Sequence, residues 1–285
     1  MKNLIDKALK DLLSNALSTL ETETDSDVLC YFGPIVDGNE SAFLDIVEDI
    51  ALDHRHSTLS VVLTTNGGSA MAVERYVNII RKHYQKVVFI VPDYAYSAGT
   101  IFCMSGDEIQ MDYSSVLGPI DPQVRNKEGN FVPALGYLDK VNSLIKKAQN
   151  NTLTNAEFLI LKDFDLAELR AYEQASELTV SLLKKWLVKY KFKNWNTHSS
   201  TGSPVTQQDK ERRAEEIAAK LGDNSIWKSH ARPICIEELE DLKLKIEDFS
   251  DNVTLRTAIR NYYDLSKDLV EKYGIKIFIQ TRKYI

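Results

Sequence analysis

A run of β-branched and apolar residues that ends in a glycine pair is the feature that most constrains the fold of this chain. Residues 59–65 (LSVVLTT) lead directly into Asn66, Gly67 and Gly68. A strand that is apolar on both faces is typical of a parallel sheet covered by helices on each side. Apolar residues then recur with helical spacing, at Ala70, Val73, Tyr76, Val77 and Ile80. The stretch therefore predicts a buried strand, a tight turn and a helix.

Strand and helix patterns alternate through the first half of the chain. The sequence predicts strands at 28–32, 59–65, 87–91 and 108–111, and helices at 41–52, at 70–80 and after Ser97. Such alternation predicts an α/β fold with a mostly parallel sheet and right-handed crossovers. Ligands of these sheets bind beyond the carboxyl ends of the strands. The turns at 66–68 and 96–99 therefore lie where a site is expected.

The second half of the chain has a mainly helical pattern. Helices are predicted at 137–148, 157–190, 207–221, 237–242 and 253–273, with a polar loop at 191–206. Residues 4–20 have the spacing of an amphipathic helix, which we expect to pack on the body of the protein or on a neighbouring subunit. Lys7 and Lys10 lie beside its apolar stripe and are compatible with a weak contact with a membrane surface.

Composition narrows the functional classes. The chain has 285 residues and a net charge of −6, with its cations interspersed among acids, which argues against nucleic acid as the main ligand. No apolar run is long enough for a transmembrane segment, and no signal-peptide pattern is present. Cys30, Cys103 and Cys235 lack the spacing of a disulfide framework or a zinc site. We therefore expect no metal or other cofactor, and a cytoplasmic location.

Ser97 and the glycine pair have the chemistry of an acyl-transfer site. A serine hydroxyl needs a base to remove its proton and donors to stabilise the oxyanion that forms. Ser97 stands at a strand-to-helix turn and is followed by the small residues Ala98 and Gly99. Gly67 and Gly68 can take positive φ and leave backbone amides open to a ligand. Taken separately, each turn is equally typical of an ordinary helix start, because serine is a common N-cap.

Four segments in order resemble a known family. They are residues 65–68 (TNGG), 96–100 (YSAGT), 117–123 (LGPIDPQ) and 229–234 (SHARPI). The first two resemble the Clp protease and signal peptide peptidase A group, and Ser97 follows Gly68 by 29 residues. The last two resemble the serine dehydrogenase proteinase branch of that group. Despite the name of the branch, the chain contains no dinucleotide-binding G-x-G-x-x-G motif.

The resemblance covers residues 28–247 and implies a ClpP/crotonase-like fold with the activity of a serine peptidase. Ser97 would be the nucleophile, and the Gly67-Gly68 turn would supply an oxyanion hole from the amides of Gly68 and Ala98. The substrates would be peptides or unfolded protein segments. The resemblance also implies a homo-oligomer, and any ATP-driven unfoldase would be a separate chain because this sequence has no Walker motif.

The resemblance also divides the chain into three parts. Residues 1–27 are expected to form an N-terminal amphipathic helix and linker, residues 28–247 the peptidase domain, and residues 248–285 a C-terminal helical extension. Helices near both ends are candidates for subunit contacts. One of them has an apolar stripe at Val253, Leu255, Ala258, Ile259, Tyr262 and Leu265.

The sequence leaves open which base would activate Ser97. Clp proteases have their histidine in the stretch that corresponds to residues 118–122, and this stretch contains none. Four histidines are interpreted as surface residues, namely His54, His56, His83 and His198. His230 lies near the position of the Clp aspartate, and Asp121 near that of the Clp histidine. We therefore hypothesise that Asp121 orients His230 and that His230 deprotonates Ser97, with a purely structural role for both residues as the alternative.

A lysine base, as in signal peptide peptidase A, is the second hypothesis. Lys140 follows Ser97 by 43 residues and lies on a predicted helix. A lysine can act as a base only if burial lowers its pKa. Most lysines on such a helix are instead solvated.

Three other functions are alternatives to a peptidase. A crotonase-type enzyme for acyl-CoA would usually have glutamates near the second turn, where this chain has Tyr94, Tyr96 and Ser97. A non-catalytic or partner-activated assembly protein is favoured by the missing histidine. A DNA-binding helix pair within residues 207–242 is disfavoured by the acidic charge.

Overall fold

A six-stranded sheet organises the computed structural model, which describes residues 2–53, 55–125 and 131–284. In spatial order the strands are β10 (Phe278–Gln280), β1 (Asp27–Phe32), β2 (Thr58–Thr64), β3 (Lys86–Val91), β5 (Glu108–Met111) and β9 (Glu247–Asp248). Neighbouring strands from β1 to β9 are parallel, whereas β10 runs antiparallel to β1. Two small strand pairs are β4 (Tyr94–Ala95) with β6 (Val116–Leu117), and β7 (Gln123–Arg125) with β8 (Phe131–Pro133).

Helices connect the strands and cover both faces of the sheet. In chain order they are α1 (Lys2–Thr24), α2 (Glu40–Ala51), α3 (Ala70–His83), α4 (Ala98–Cys103), α5 (Ala134–Gln149), α6 (Asn155–Lys162), α7 (Leu166–Trp186), α8 (Gln207–Gly222), α9 (Asn224–Trp227), α10 (Ile236–Asp241) and α11 (Val253–Tyr273). A π-helical turn, Leu187–Lys191, continues α7. The predicted α/β fold with a mostly parallel sheet is confirmed. None of the helices in the described ranges is long and apolar enough to cross a membrane.

The apolar run in β2 is buried on both sides, as its sequence predicts. Val61 and Leu63 point into the main core, which also contains apolar residues of α2, α3 and α4. Val62 points to the opposite face and packs in a second core with residues of α1 and α11. Burial of each such side chain stabilises the fold by about 1.5–3 kcal/mol. The sheet is therefore the middle of three layers.

The apolar stripes of α1 and α11 are used within the chain. Leu13 and Leu17 of α1 are buried together with Ile259 and Tyr262 of α11 on one face of the sheet. The first helix thus packs on the body of the protein, which was one of the two arrangements expected for it. Most of the α11 stripe is core, although Val253 is 74% exposed.

Arg282 joins segments that are far apart in sequence. Its guanidinium donates to the carboxylates of Asp27 (2.6 Å), Glu21 (3.0 Å) and Asp53 (3.0 Å), and to the carbonyl of Ile50 (3.1 Å). This junction ties α1, β1 and the end of α2 to the residues that follow β10. The sequence prediction contained neither β10 nor this junction. Strand β10 was missed because three residues are too short to show a strand pattern.

Helices α5, α6 and α7 hold a small core of their own. Ala134, Val141, Leu169 and Tyr172 are buried in it, apart from the two larger cores. Helix α7 continues to the main core, where Leu182, Leu183 and Trp186 are buried. One side of α7 also forms a wall of the cleft described next.

Candidate active site

The glycine turn after β2 comes into direct contact with the backbone around Ser97. Gly67 and Gly68 have φ values of +98° and +142°, which L side chains rarely adopt. A Cβ atom on Gly67 would lie 2.7 Å from both the Cβ of Ser97 and the carbonyl oxygen of Tyr96. A Cβ atom on Gly68 would lie 1.9 Å from the carbonyl oxygen of Ile35. Glycine is therefore required at both positions by close backbone approach as well as by φ.

Ser97 has a strained backbone and a side chain that does not cap its helix. Its φ and ψ are 53° and −116°, and its side chain makes no capping hydrogen bond to α4. A non-glycine residue in this region costs about 1–3 kcal/mol and is typical of functional sites. The flanking backbone fixes the turn, because Tyr96 N–H donates to Thr65 O (2.9 Å) and Gly99 N–H donates to Tyr96 O (2.8 Å).

Thr100 links the serine turn to the segment that carries Asp121. Its buried hydroxyl lies 2.9 Å from Ala95 O and 2.8 Å from Gly118 O, and it accepts the N–H of Gly118 at 3.0 Å. Such a buried and satisfied polar group fixes the position of the two segments relative to each other.

Two backbone amides beside Ser97 are available to a ligand. Within the described part of the chain, neither Gly68 N–H nor Ala98 N–H has a hydrogen-bond acceptor. Ala98 is the first residue of α4, where amides lack a helical partner and lie at the positive end of the helix dipole. Unpartnered amides of this kind are suitable donors for an oxyanion.

Asp121 and His230 form a pair. The buried carboxylate of Asp121 lies with its Oδ1 2.9 Å from Nδ1 of His230, and its Oδ2 accepts Gln123 Nε2–H at 3.1 Å. Leu117 and Ile234 exchange two backbone hydrogen bonds of 2.9 Å, which brings the chain segments of the pair side by side. A carboxylate held in this way selects the imidazole tautomer that carries its proton on Nδ1 and leaves Nε2 free.

A cleft of about 1060 Å³ connects these groups. Gly68, Ser97, Ala98 and His230 line it, and apolar residues of α7 face them across it. Among the described residues, however, no hydrogen bond joins Ser97 Oγ to His230. The structure therefore brings the serine, the amides and the histidine to one cleft, without a hydrogen bond between the serine and the histidine.

The other sequence-predicted bases lie elsewhere. Lys140 is exposed on α5 and does not line the cleft, so it lacks the burial that a lysine base requires. Three of the remaining histidines face acids at the surface: His56 lies 3.7 Å from Asp25, His83 3.8 Å from Glu48, and His198 3.6 Å from Asp209. His54 falls outside the described residues.

The tyrosines next to Ser97 do not replace a base. Burial, followed by the charge of Asp93, raises the pKa of both Tyr94 and Tyr96 above the usual range of a phenol. Their rings stack at 5.6 Å and help to fill the space around the turn. No group of histidine, cysteine or acidic residues in the described ranges is arranged to hold a metal ion.

Sequence reasoning missed two supports of this site. Thr100 was noted only as part of a motif, and Gln123 only as part of the 117–123 segment. A threonine one turn into a helix, opposite a glycine, carries no signal in a single sequence. Their roles become visible only once the hydrogen-bond partners are known.

Two uncharacterized proteins of Methanocaldococcus jannaschii are similar to the chain: MJ1495 is 28% identical over 202 residues and MJ0137 is 27% identical over 203 residues. Each match covers 71% of this chain, and 56% and 58% of the respective relative. The chain thus spans less than two thirds of the length of these relatives.

Among solved structures, ClpP1 from Listeria monocytogenes matches with a TM-score of 0.40 and 10% identity, over 83% of this chain and 99% of that one. A membrane-bound stomatin-specific protease matches with a TM-score of 0.34 and 19% identity, over 57% of this chain and 75% of that one.

The match to a family model is the most informative comparison. The model described as ClpP-like SDH-type serine proteinase matches residues 39–207. This range includes Gly67, Gly68, Ser97 and Asp121, and it ends before His230. Because the match covers more than half of the 285 residues, the chain belongs to the ClpP-like SDH-type serine proteinase family.

Proposed function

We propose that this protein is a serine peptidase in which Ser97 is the nucleophile, His230 the base and Asp121 the residue that orients the base. The single observation that carries the proposal is the cleft shared by a strained Ser97, two unpartnered amides and His230. The proposed substrates are peptides or unfolded protein segments, and the proposed peptidase domain is residues 28–247, with α1 and α11 packed on the other face of its sheet. A homo-oligomer and a cytoplasmic location also stay predictions.

The first half of the proposed reaction forms an acyl-enzyme. His230 Nε2 takes the proton of Ser97 Oγ as that oxygen bonds to the scissile carbonyl carbon, and the carbonyl electrons move onto its oxygen. The amides of Gly68 and Ala98 then donate to the resulting oxyanion. When the tetrahedral intermediate collapses, the C–N bond breaks and His230 gives its proton to the leaving amine.

The second half of the reaction releases the acid product. Water attacks the ester carbon and His230 takes one of its protons, after which the C–O bond to Ser97 breaks and the hydroxyl is restored. Asp121 keeps the imidazole oriented throughout and stabilises the imidazolium that forms. Catalytic hydrogen bonds often tighten only around bound substrate, and we expect the bond between Ser97 and His230 to form in that complex.

A fluorophosphonate probe with mass spectrometry tests this proposal. We expect the probe to label Ser97, and Ser97→Ala to abolish labelling. His230→Ala and Asp121→Asn should slow the labelling rate about 10³-fold or more. His198→Ala and Lys140→Ala serve as controls and should label at the rate of the original protein, since neither residue lines the cleft.

A partner-activated assembly protein is the second candidate function. The observation in its favour is the missing hydrogen bond between Ser97 and His230. If it is correct, folded protein alone will show no labelling at Ser97 at any concentration. Labelling that survives in His230→Ala but is lost in Lys140→Ala would instead refute the proposed base.

A further inference from the structure

A second cavity lies away from the catalytic cleft. Its volume is about 590 Å³, and it is bounded by the end of the π-helical turn, the following polar segment, one side of α8 and residues after α10. None of its lining residues also lines the cleft. Small-molecule sites are typically 300–1,000 Å³.

The walls of this cavity are cationic. Four basic residues line it, Lys191, Arg213, Lys243 and Lys245, and no acidic residue does so. The chain as a whole has a net charge of −6, so this local sign is opposite to that of the protein. A concave surface lined by one sign of charge concentrates ligands of the other sign.

Lys191 is a half-buried cation in the wall of this cavity. No hydrogen bond or ion pair to its ammonium group is found among the described residues, whereas Arg213 pairs with Glu216 at 3.2 Å and Lys245 pairs with Glu247. Burial lowers the pKa of Lys191 to about 8, although Glu108 and Glu247 act in the opposite direction. Partial removal of a cation from water without a hydrogen-bonded partner is costly, and a bound anion would relieve that cost.

The backbone at Lys191 is also unusual. The turn Leu187–Lys191 is π-helical, and Phe192 N–H donates to Leu187 O at 2.8 Å. π-Helical turns are rare and occur frequently at functional sites. Arg81 holds this turn, with its guanidinium 3.7 Å from the centroid of the Tyr190 ring. Lys191 ends this turn and Phe192 follows it, and both residues line the cavity.

Aromatic rings form the remaining apolar wall. Trp195 meets Phe192 edge-on at 5.6 Å and His198 at 5.3 Å, and all three line the cavity. Ser199 and Ser200 add hydroxyl groups at the rim. An inorganic phosphate would leave these rings and most of the volume unused. The wall therefore fits an anion that also carries a flat apolar ring.

We propose that this cavity binds a nucleoside phosphate, with the phosphate at Lys191 and the base against Trp195. Lys243 also lines the cavity and would neutralise further phosphate charge. The site is independent of the peptidase proposal, because it shares no residue with the cleft.

Isothermal titration of the full chain with ADP tests the proposal, with adenosine and inorganic phosphate as separate ligands. We expect saturable binding of ADP with a Kd below about 1 mM, and binding at least about tenfold weaker for either fragment. Lys191→Met and Trp195→Leu should each weaken ADP binding about tenfold or more. Lys189→Met is the matched control, since Lys189 is exposed on the same turn and does not line the cavity.

Three outcomes would overturn the site. They are no saturable ADP binding up to about 5 mM, equal affinity for phosphate alone, or an unchanged affinity in Lys191→Met. Lys191→Arg keeps the charge and should retain binding within about threefold, which separates loss of the cation from local misfolding. Circular dichroism melting of each variant verifies that it is folded.

Discussion

At the scale of single residues, the backbone conformation of Ser97 shapes the site. Its φ of 53° belongs to a sharp turn that lies against Gly67. Any residue with a Cβ is strained in this conformation, whereas glycine is not. Serine at this position is therefore less favourable for stability than glycine would be.

A stability comparison tests that strain. Ser97→Gly should be more stable than Ser97→Ala by about 1 kcal/mol, because relief of strain exceeds the larger entropy of an unfolded glycine. Urea denaturation gives both free energies of unfolding. Ser60 in β2 is the control, since its φ is not positive and Ser60→Gly should there be less stable than Ser60→Ala. The same order at both positions would contradict the strain.

Residue types and their spacing in the sequence predict only some of these single-residue features. The glycine pair and Ser97 could be singled out from the sequence, because positive φ and an acyl-transfer nucleophile restrict the residue type. The contact of Asp121 with His230 rests on a fold that brings together positions 109 residues apart. The position of Lys191 in a cavity could not be foreseen, since that cavity is formed by segments distant in the chain.

At the scale of secondary-structure elements, the turn between β2 and α3 joins the sheet to the cleft. Gly68 pairs with Ile35 in a short parallel bridge, and Ile35 N–H donates to Gly67 O at 2.9 Å. Ser69 N–H returns a bond of 2.8 Å to Ile35 O. The Gly68 amide, which is not used in this bridge, is thereby directed away from Ile35.

Two alanine substitutions separate the two reasons for a glycine at position 68, which are its positive φ and the lack of space for a Cβ atom. Gly68→Ala should destabilise the protein by about 2–4 kcal/mol and slow labelling of Ser97, because its Cβ would collide with Ile35 O. Gly38→Ala should cost only about 1–2 kcal/mol, because Gly38 has a φ of +96° but open space around it. Thermal melts and probe labelling measure the two effects. Equal losses at both positions would show that φ alone demands glycine.

Elements with a strong pattern were predicted well, and short ones were not. Helix α11 begins and ends at the predicted residues, and β2 lies within one residue of its prediction. The two-residue β9 and the three-residue β10 were missed, because they depend on hydrogen bonds to β5 and β1 rather than on their own apolar pattern. The sequence prediction placed the π-helical turn partly in a helix and partly in the loop that follows. No residue pattern marks the additional residue that a π-helical turn contains relative to an α-helical one.

At the scale of the whole molecule, α6 leaves an apolar surface uncovered. Phe158, Leu159 and Ile160 are 56%, 65% and 49% exposed, and α6 buries none of its residues. Leu166 at the start of α7 is 81% exposed beside them in sequence. Exposed apolar side chains that cluster on a protein surface commonly mark a contact between proteins. We propose that the predicted homo-oligomer uses α6, since most of the apolar residues of α1 and α11 are already buried within the chain.

Light scattering after size-exclusion chromatography tests this subunit contact. The original protein should elute as a multiple of 32.4 kDa, and Leu159→Glu should shift it toward the monomer. Leu52→Glu is the control, because Leu52 is 69% exposed directly after α2 and its substitution should leave the mass unchanged. A monomeric original protein at all concentrations would refute the contact.

The antiparallel pairing of β10 with β1 has a consequence for synthesis on the ribosome. Because β1 is made early and β10 some 250 residues later, the outer edge of the sheet stays open while most of the chain emerges. An open edge of parallel strands is a template for pairing with other nascent chains. A ribosome that stalls before residue 278 therefore releases a product with a folded interior and an unpaired sheet edge. Such products are expected to be found with chaperones or in aggregates.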